Sequence, residues 1–122
     1  LATLAGFGRV IVADIETGPW PLAGERFDAV VVTNYLWRPL WPSLRASLAD
    51  GAVLIYETFT VGNEAFGKPS NPDFLLRPGE LLEACRGLHV VAYEDGLLSG
   101  PPRRVQRIVA VQSPAADARL AL

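Results

Sequence analysis

The apolar positions along the chain fall into two periods. Short apolar runs rich in β-branched residues occupy residues 9–13 (RVIVA), 28–33 (DAVVVT) and 52–58 (AVLIYET), the pattern of strands covered on both faces. Two further runs, 89–94 and 104–111, have only residues 98–102 and a few flanking positions between them. That connection is too short for a helical crossover and predicts an antiparallel hairpin. Between the earlier runs the spacing changes. Leu40, Leu44 and Leu48 recur every four residues after Pro39 and stop at Asp50-Gly51, which predicts an amphipathic helix over 39–49 with Pro42 in its first turn. Residues 78–85 predict a second helix, with Pro78 at its start, Leu81, Leu82 and Cys85 on one side, and Gly87 beyond its end. Alternating strands and helices predict an α/β sheet.

Two connections break both periods. Residues 15–26 carry Gly18, Pro19, Pro21 and Gly24, and residues 61–77 carry Gly62, Gly67, Pro69 and Pro72, so both read as loops. An irregular stretch as long as 61–77 in a compact domain is more often a lid or binding loop than idle surface. The alanine-rich tail 113–122 reads as a frayed helix or disorder, outside a single domain over 1–112.

Composition narrows the classes. The 122 residues carry 11 Lys+Arg against 13 Asp+Glu, a net charge of −2, and half are apolar, enough for one core. Such a balance offers no basic field for nucleic acid or an anionic membrane, and no apolar run approaches the roughly 20 residues of a membrane span. The single cysteine, Cys85, excludes an internal disulfide and a multi-cysteine zinc site, and no secretion signal is evident, so a cytoplasmic address is expected. The chain contains no methionine and opens at Leu1 inside an apolar segment, which predicts that it is the C-terminal part of a longer protein. Ten arginines against one lysine, Lys68, read as a codon bias toward G+C-rich DNA.

In an open parallel sheet, ligands bind beyond the carboxyl ends of the strands. After the first strand come Asp14-Ile15-Glu16, after the second Asn34-Tyr35-Leu36-Trp37, and after the third Thr58-Phe59. A carboxylate such as Asp14 accepts hydrogen bonds from a ligand amine or hydroxyl, Asn34 donates and accepts, and Tyr35, Trp37 and Phe59 offer apolar walls. Plainer roles compete: Asp14 as a turn cap, Trp20, Trp37 and Trp41 as core, His89 as surface, and Cys85 as core. Glu57, inside an apolar run, must find a partner or reach the cleft. No metal-ligand spacing and no serine-histidine-acid set is present, so zinc chemistry and hydrolysis are poorly supported.

These residues carry a family resemblance. The run Ala13-Asp14-Ile15-Glu16, the Gly18-Pro19-Trp20-Pro21-Leu22 turn, the FDAVVVTNYL strand, the helix ending at Leu48-Ala49-Asp50-Gly51, the AVLIYETF strand and the closing hairpin resemble the middle and end of class I S-adenosylmethionine-dependent methyltransferases. The stretch Gly62-Asn63-Glu64 to Gly67-Lys68-Pro69-Ser70-Asn71-Pro72 before Phe74-Leu75-Leu76 is similar to a bacterial, tellurite-resistance-like branch. The resemblance covers essentially the whole chain except its tail. It implies a truncated Rossmann-like sheet, mostly parallel with a C-terminal antiparallel hairpin, whose strands match the third to seventh of the order 3-2-1-4-5-7-6.

It further implies that Asp14 stands beside the cofactor adenine with Ile15 packed near it. Asn34 and Tyr35 would lie where cofactor and substrate meet, and Trp37, Thr58 and Phe59 would face a small-molecule substrate. The glycine-rich cofactor turn and the ribose-holding acid have no counterpart here, since Gly6-Phe7-Gly8 precedes a strand instead of following one. Methyl transfer from a sulfonium needs alignment more than covalent help. If the substrate must lose a proton, Tyr35 and Glu57 are the rim candidates.

In the implied order two strands separate 9–13 from 28–33, a gap of roughly 14 Å at the usual strand spacing. Unpaired backbone along that gap is costly and adhesive. Either 9–13 slides into the vacancy or another chain fills it, and the proline- and glycine-rich connection favours another chain. Self-association, or a lost N-terminal part as partner, is therefore expected, with weak S-adenosylmethionine binding, or none, by the chain alone. Two other readings stand beside the methyltransferase: a non-catalytic α/β binding or assembly module, and a nucleotide-binding domain, the latter weakened by the lack of a phosphate-binding glycine loop.

Overall fold

A computed structural model describes residues 25–36 and 38–112, and the backbone of residues 10–13. Five strands form one sheet: β1 (Val10–Ala13), β2 (Phe27–Thr33), β3 (Leu48–Phe59), β4 (His89–Leu98) and β5 (Arg103–Val111). Their spatial order is β1-β2-β3-β5-β4. β1, β2 and β3 run parallel, and β5 enters antiparallel between β3 and β4 as the second arm of the expected hairpin. The hairpin is longer than its apolar pattern, because β4 continues through Asp95, Gly96, Leu97 and Leu98 while pairing with β5.

The vacancy expected beside β2 is taken by the chain itself. β1 pairs directly with β2, with Val10 opposite Ala29 and Ala13 opposite Val32. Of the two outcomes open for this place, the structure has residues 10–13 in it and not another chain: the exposed backbone of β2 requires a partner, and the nearest strand in sequence supplies one.

Helix α1 (Trp41–Ala46) follows a 3-10 turn, Arg38–Leu40, and ends earlier than the leucine spacing implies. Pro42 lies in its first turn as expected. The Ser47 hydroxyl donates to the Leu44 carbonyl at 2.6 Å, while the Ser47 carbonyl accepts from the Phe27 amide at 2.7 Å. These contacts close the helix and pull the chain into β3, where Leu48 is buried. Gly51, at φ +80°, absorbs the register shift that follows, opposite Phe27 and Ala29. Helix α2 (Glu80–Ala84) buries Leu81 and, just past its end, Cys85. Leu82, expected on the same side, is exposed instead, because one residue step turns the helix by about 100°.

One sheet face carries the core. Val30, Val32, Leu54, Tyr56, Ile108 and Ala110 pack against Leu36, Leu40, Leu44, Leu81 and Cys85. Trp41 stacks on Tyr56 with ring centroids 4.8 Å apart. The other face departs from the two-sided burial that the apolar runs implied: Ile55 is 39% exposed, and Val31, Val53 and Val109 are half-buried. Across that face Glu57, Arg107 and Glu94 are register partners. Arg107 bridges both carboxylates, at 3.0 Å to Glu57 and 3.6 Å to Glu94. Among the described residues no helix is long and apolar enough to cross a membrane.

Candidate cleft at the carboxyl ends of β2 and β3

Parallel strands end together, so the residues leaving β2 and β3 emerge at one rim. Asn34 leaves β2 in the left-handed region, at φ +56°, a conformation that asparagine tolerates better than most residues. Its amide donates to the Glu57 carbonyl at 3.0 Å, which ties the two strand ends together and turns Tyr35 and Leu36 back into the core. Tyr56 fixes that turn from below, its hydroxyl donating to the Tyr35 carbonyl at 2.5 Å. Both partners are buried.

Residues 61–77 close the other side. They are irregular as expected, apart from the 3-10 turns Asn63–Ala65 and Pro72–Phe74. The two ends of the segment meet: Thr60 and Leu76 form a parallel bridge, and the Thr60 hydroxyl donates to the Leu76 carbonyl at 2.9 Å. Four side chains then hold the segment in place. Asn63, buried, accepts from the Arg104 amide at 3.1 Å and donates to the Pro69 carbonyl at 3.4 Å. Asn71 caps the second turn by accepting from the Asp73 amide at 2.9 Å.

Arg38 grips Glu80 through two hydrogen bonds of 2.7 and 2.8 Å, and also donates to the carbonyls of Leu75, at 2.8 Å, and Asp73, at 3.2 Å. This bidentate pair shapes the titration of both groups. Hydrogen bonding to Glu80 raises Arg38 above the ordinary arginine value. For Glu80 burial pushes the carboxyl up, but the Arg38 hydrogen bond, the Arg77 amide and both guanidinium charges together hold it below its usual range. The fourth is Gln106, fully buried, whose Nε2 donates to Thr60 Oγ1 at 2.9 Å and to the Arg77 carbonyl at 2.7 Å. Its Oε1 accepts from the Tyr93 hydroxyl at 2.9 Å and the Leu81 amide at 3.4 Å.

Between the strand ends and this segment lies a cleft of about 710 Å³, within the range of small-molecule sites. Asn34, Tyr35, Thr58 and Phe59 all line it, together with Leu36, Lys68, Pro69, Ser70, Asn71 and Phe74. Tyr35 is only 4% exposed, so it offers the cleft a sliver of surface, not a flat wall. Burial pushes its phenol above the ordinary tyrosine value. Glu57 stands elsewhere, its carboxylate held by Arg107 on the opposite sheet face. Asp14, Ile15 and Trp37 lie outside the described residues, as do Trp20 and the Gly6-Phe7-Gly8 turn.

Sequence reasoning missed Lys68, Phe74, Arg38 and Gln106. Gln106 had a readable signal, since it shares the inward parity of Ile108 and Ala110 in β5, where an uncharged polar residue demands partners. Cys85 is fully buried, and burial pushes its thiol up to about 11, which suits core. His89 is exposed at the start of β4.

No family model matches the sequence, and no curated protein matches it. Solved structures do. TehB from Haemophilus influenzae matches 73% of this chain and 36% of its own, with a TM-score of 0.59 and 13% identity. A structure described for the conversion of a disulfide bond into a thioacetal group during echinomycin biosynthesis matches 73% of this chain and 50% of its own, at a TM-score of 0.51 and 13% identity. A variant of the 16S rRNA (adenine(1408)-N(1))-methyltransferase from Catenulisporales acidiphilia aligns at 0.48 and 17% identity, over 75% of this chain and 52% of its own. The chain therefore spans between about a third and a half of the structures it matches. Identities this low speak to fold alone, and the fold is a mixed α/β, Rossmann-like sheet, parallel through β3 and closed by an antiparallel hairpin.

Proposed function

We propose that this chain is the acceptor-side part of an S-adenosylmethionine-dependent methyltransferase acting on a small molecule. The observation that carries the reading is the cleft beyond the carboxyl ends of β2 and β3, lined by Asn34, Tyr35, Thr58 and Phe59, where an open α/β sheet binds ligands. The sheet order, with β5 inserted antiparallel between β3 and β4, supports it, as does the resemblance of the FDAVVVTNYL and AVLIYETF runs.

The lining fits such a cofactor in kind. Asn34 brings an amide that both donates and accepts, and Phe59 and Phe74 bring ring faces that tolerate a neighbouring cation. When bound, S-adenosylmethionine supplies a methyl group on a positively charged sulfur, which departs as a neutral thioether once the acceptor's nucleophilic atom takes the methyl. Asn34 would hold the cofactor at the end of β2, and Thr58 and Phe59 would face the acceptor. Tyr35, whose phenol burial pushes up, would bring its small exposed edge to the place where cofactor and acceptor meet. With Glu57 engaged by Arg107, the acceptor brings its own nucleophile ready for attack, and the protein's contribution is alignment and exclusion of water.

Calorimetric titration of S-adenosylmethionine into this chain, and into any longer form containing it, tests the reading. Saturable heat that weakens in Asn34→Ala supports it. Absence of saturable heat in both forms, or binding indifferent to Asn34→Ala, refutes it and favours a non-catalytic binding module.

A further inference from the structure

The only lysine of the chain, Lys68, lies on the loop wall of the cleft and is the sole charged side chain among the described residues of its lining. Its ammonium has no ion-pair partner among the described residues. Glu80 is engaged by Arg38 and Glu57 by Arg107, Glu64 and Asp73 of the same loop are exposed to solvent, and none of these four carboxylates is among the lining residues. Among the described lining residues the charge is therefore positive, at the loop end of the cleft.

Besides the nearly covered Tyr35, two phenylalanine rings share the lining, Phe59 from β3 and Phe74 from the second 3-10 turn. Phe74 is 43% exposed, although its turn is pinned by the Asn71 cap and by Arg38 on both sides of it. A large apolar side chain held open on a fixed turn gains burial when a flat apolar body lies against it. Ser70 and Asn34 add a hydroxyl and an amide to the same lining.

We infer that the cleft takes a small planar or aromatic acceptor bearing one anionic group, a carboxylate above all, with Lys68 as the specificity-determining residue. This rests on the methyltransferase reading only for the word acceptor, and it sharpens that reading. A cationic sulfur is repelled by the Lys68 ammonium, so the cofactor belongs at the Asn34 end. An anion at Lys68 relieves that repulsion and orients the acceptor's far side toward the methyl group.

The test is a titration of 4-hydroxybenzoate and its neutral isostere 4-hydroxybenzamide into the full chain, into Lys68→Gln and into Lys68→Arg. Lys68 is exposed and unpaired among the described residues, so both variants keep the fold, which melting curves verify. The acid binds about fivefold to tenfold more tightly than the amide, as one charge-assisted contact in a half-open cleft allows. The preference disappears in Lys68→Gln, survives in Lys68→Arg and shrinks with added salt. Phe74→Ala weakens acid and amide alike. Equal affinity for acid and amide, a preference that persists in Lys68→Gln, or no binding of either compound overturns the inference. S-adenosylmethionine is titrated separately. Cofactor binding without an acid preference sinks the ligand class alone, whereas an acid preference without cofactor binding, in this chain and in any longer form containing it, sinks the methyltransferase reading and leaves the ligand class standing.

Discussion

Replacing Gln106 by leucine removes a carboxamide that is wholly buried and uses four hydrogen bonds. Its partners do not lose equally. Thr60 Oγ1 still donates to the Leu76 carbonyl, and the half-buried Tyr93 hydroxyl can turn to water. The Arg77 carbonyl still accepts from the Glu80 amide at 3.0 Å, so the group left stranded is the amide of the buried Leu81. One stranded amide costs about 1–3 kcal/mol, and the extra apolar burial of leucine offsets about 1 kcal/mol, leaving a net loss near 1 kcal/mol. For a domain of this size that lowers the melting temperature by about 4 °C. Thermal melts followed by circular dichroism read it directly. Gln106→Glu keeps the shape but replaces the donating NH2 with an acceptor, so it is the worse variant at neutral pH and recovers on acidification, when the carboxyl can donate again. A leucine variant melting within about 2 °C of wild type, or a glutamate variant with no pH dependence of its own, would refute the network's role.

Arg38→Met leaves Glu80 with Arg77 alone and the Asp73 and Leu75 carbonyls without their Arg38 hydrogen bonds, and costs about 2 kcal/mol by urea unfolding at neutral pH. Because the Glu80 carboxyl is held below its ordinary value of 4.5, the folded chain binds that proton less tightly than the unfolded one. The stability from the pair is thus complete above about pH 4.5 and is lost as pH falls through the lower folded value, so the gap between wild type and Arg38→Met narrows in acid. Gly62→Ala places a Cβ 2.6 Å from Arg104 Cδ at φ +104° and destabilises by more than about 1 kcal/mol; a chemical-denaturation midpoint equal to wild type contradicts this. Cys85, buried and with its thiol raised to about 11, resists a thiol-specific alkylating reagent in the native state and reacts only at the rate of unfolding, as a time course with and without urea shows.

What could be read ahead of the structure depended on whether the cause was local. Phe27–Thr33 and the hairpin were legible because apolar runs and a short connection determine them without reference to the rest of the chain. So was the convergence of Asn34 with Thr58 and Phe59, which follows from parallel strands ending on one side. The end of α1 was not, because a tertiary hydrogen bond from the Phe27 amide to Ser47 decides it, against a leucine spacing that continues to Leu48. Which of its two expected outcomes Glu57 takes, a partner and not the cleft, was hidden for a similar reason. Its partner Arg107 lies fifty residues away in sequence, and only the register of β3 against β5 brings them together. Lys68 and Phe74 sit in an irregular segment whose path is set by Asn63, Arg38 and Gln106, and no periodicity announces such a path.

The bridge between Thr60 and Leu76 gives the segment between them a single doorway: chain enters and leaves the sheet at one point, between residues already hydrogen-bonded to each other. Everything beyond that doorway that lines the cleft, from Lys68 to Phe74, is thereby joined to the sheet through one neck and otherwise held by a few contacts, those of Asn63 to Arg104 and of Arg38 to Asp73 and Leu75. Ends fixed in space at hydrogen-bonding distance are what a graft requires, since a replacement of different length and composition pays its closure entropy only once and at a neck already formed. The segment is in effect an interchangeable cassette. Lineages or laboratories that exchange it would alter what the cleft accepts while Asn34, Thr58 and the parallel sheet beneath stay as they are.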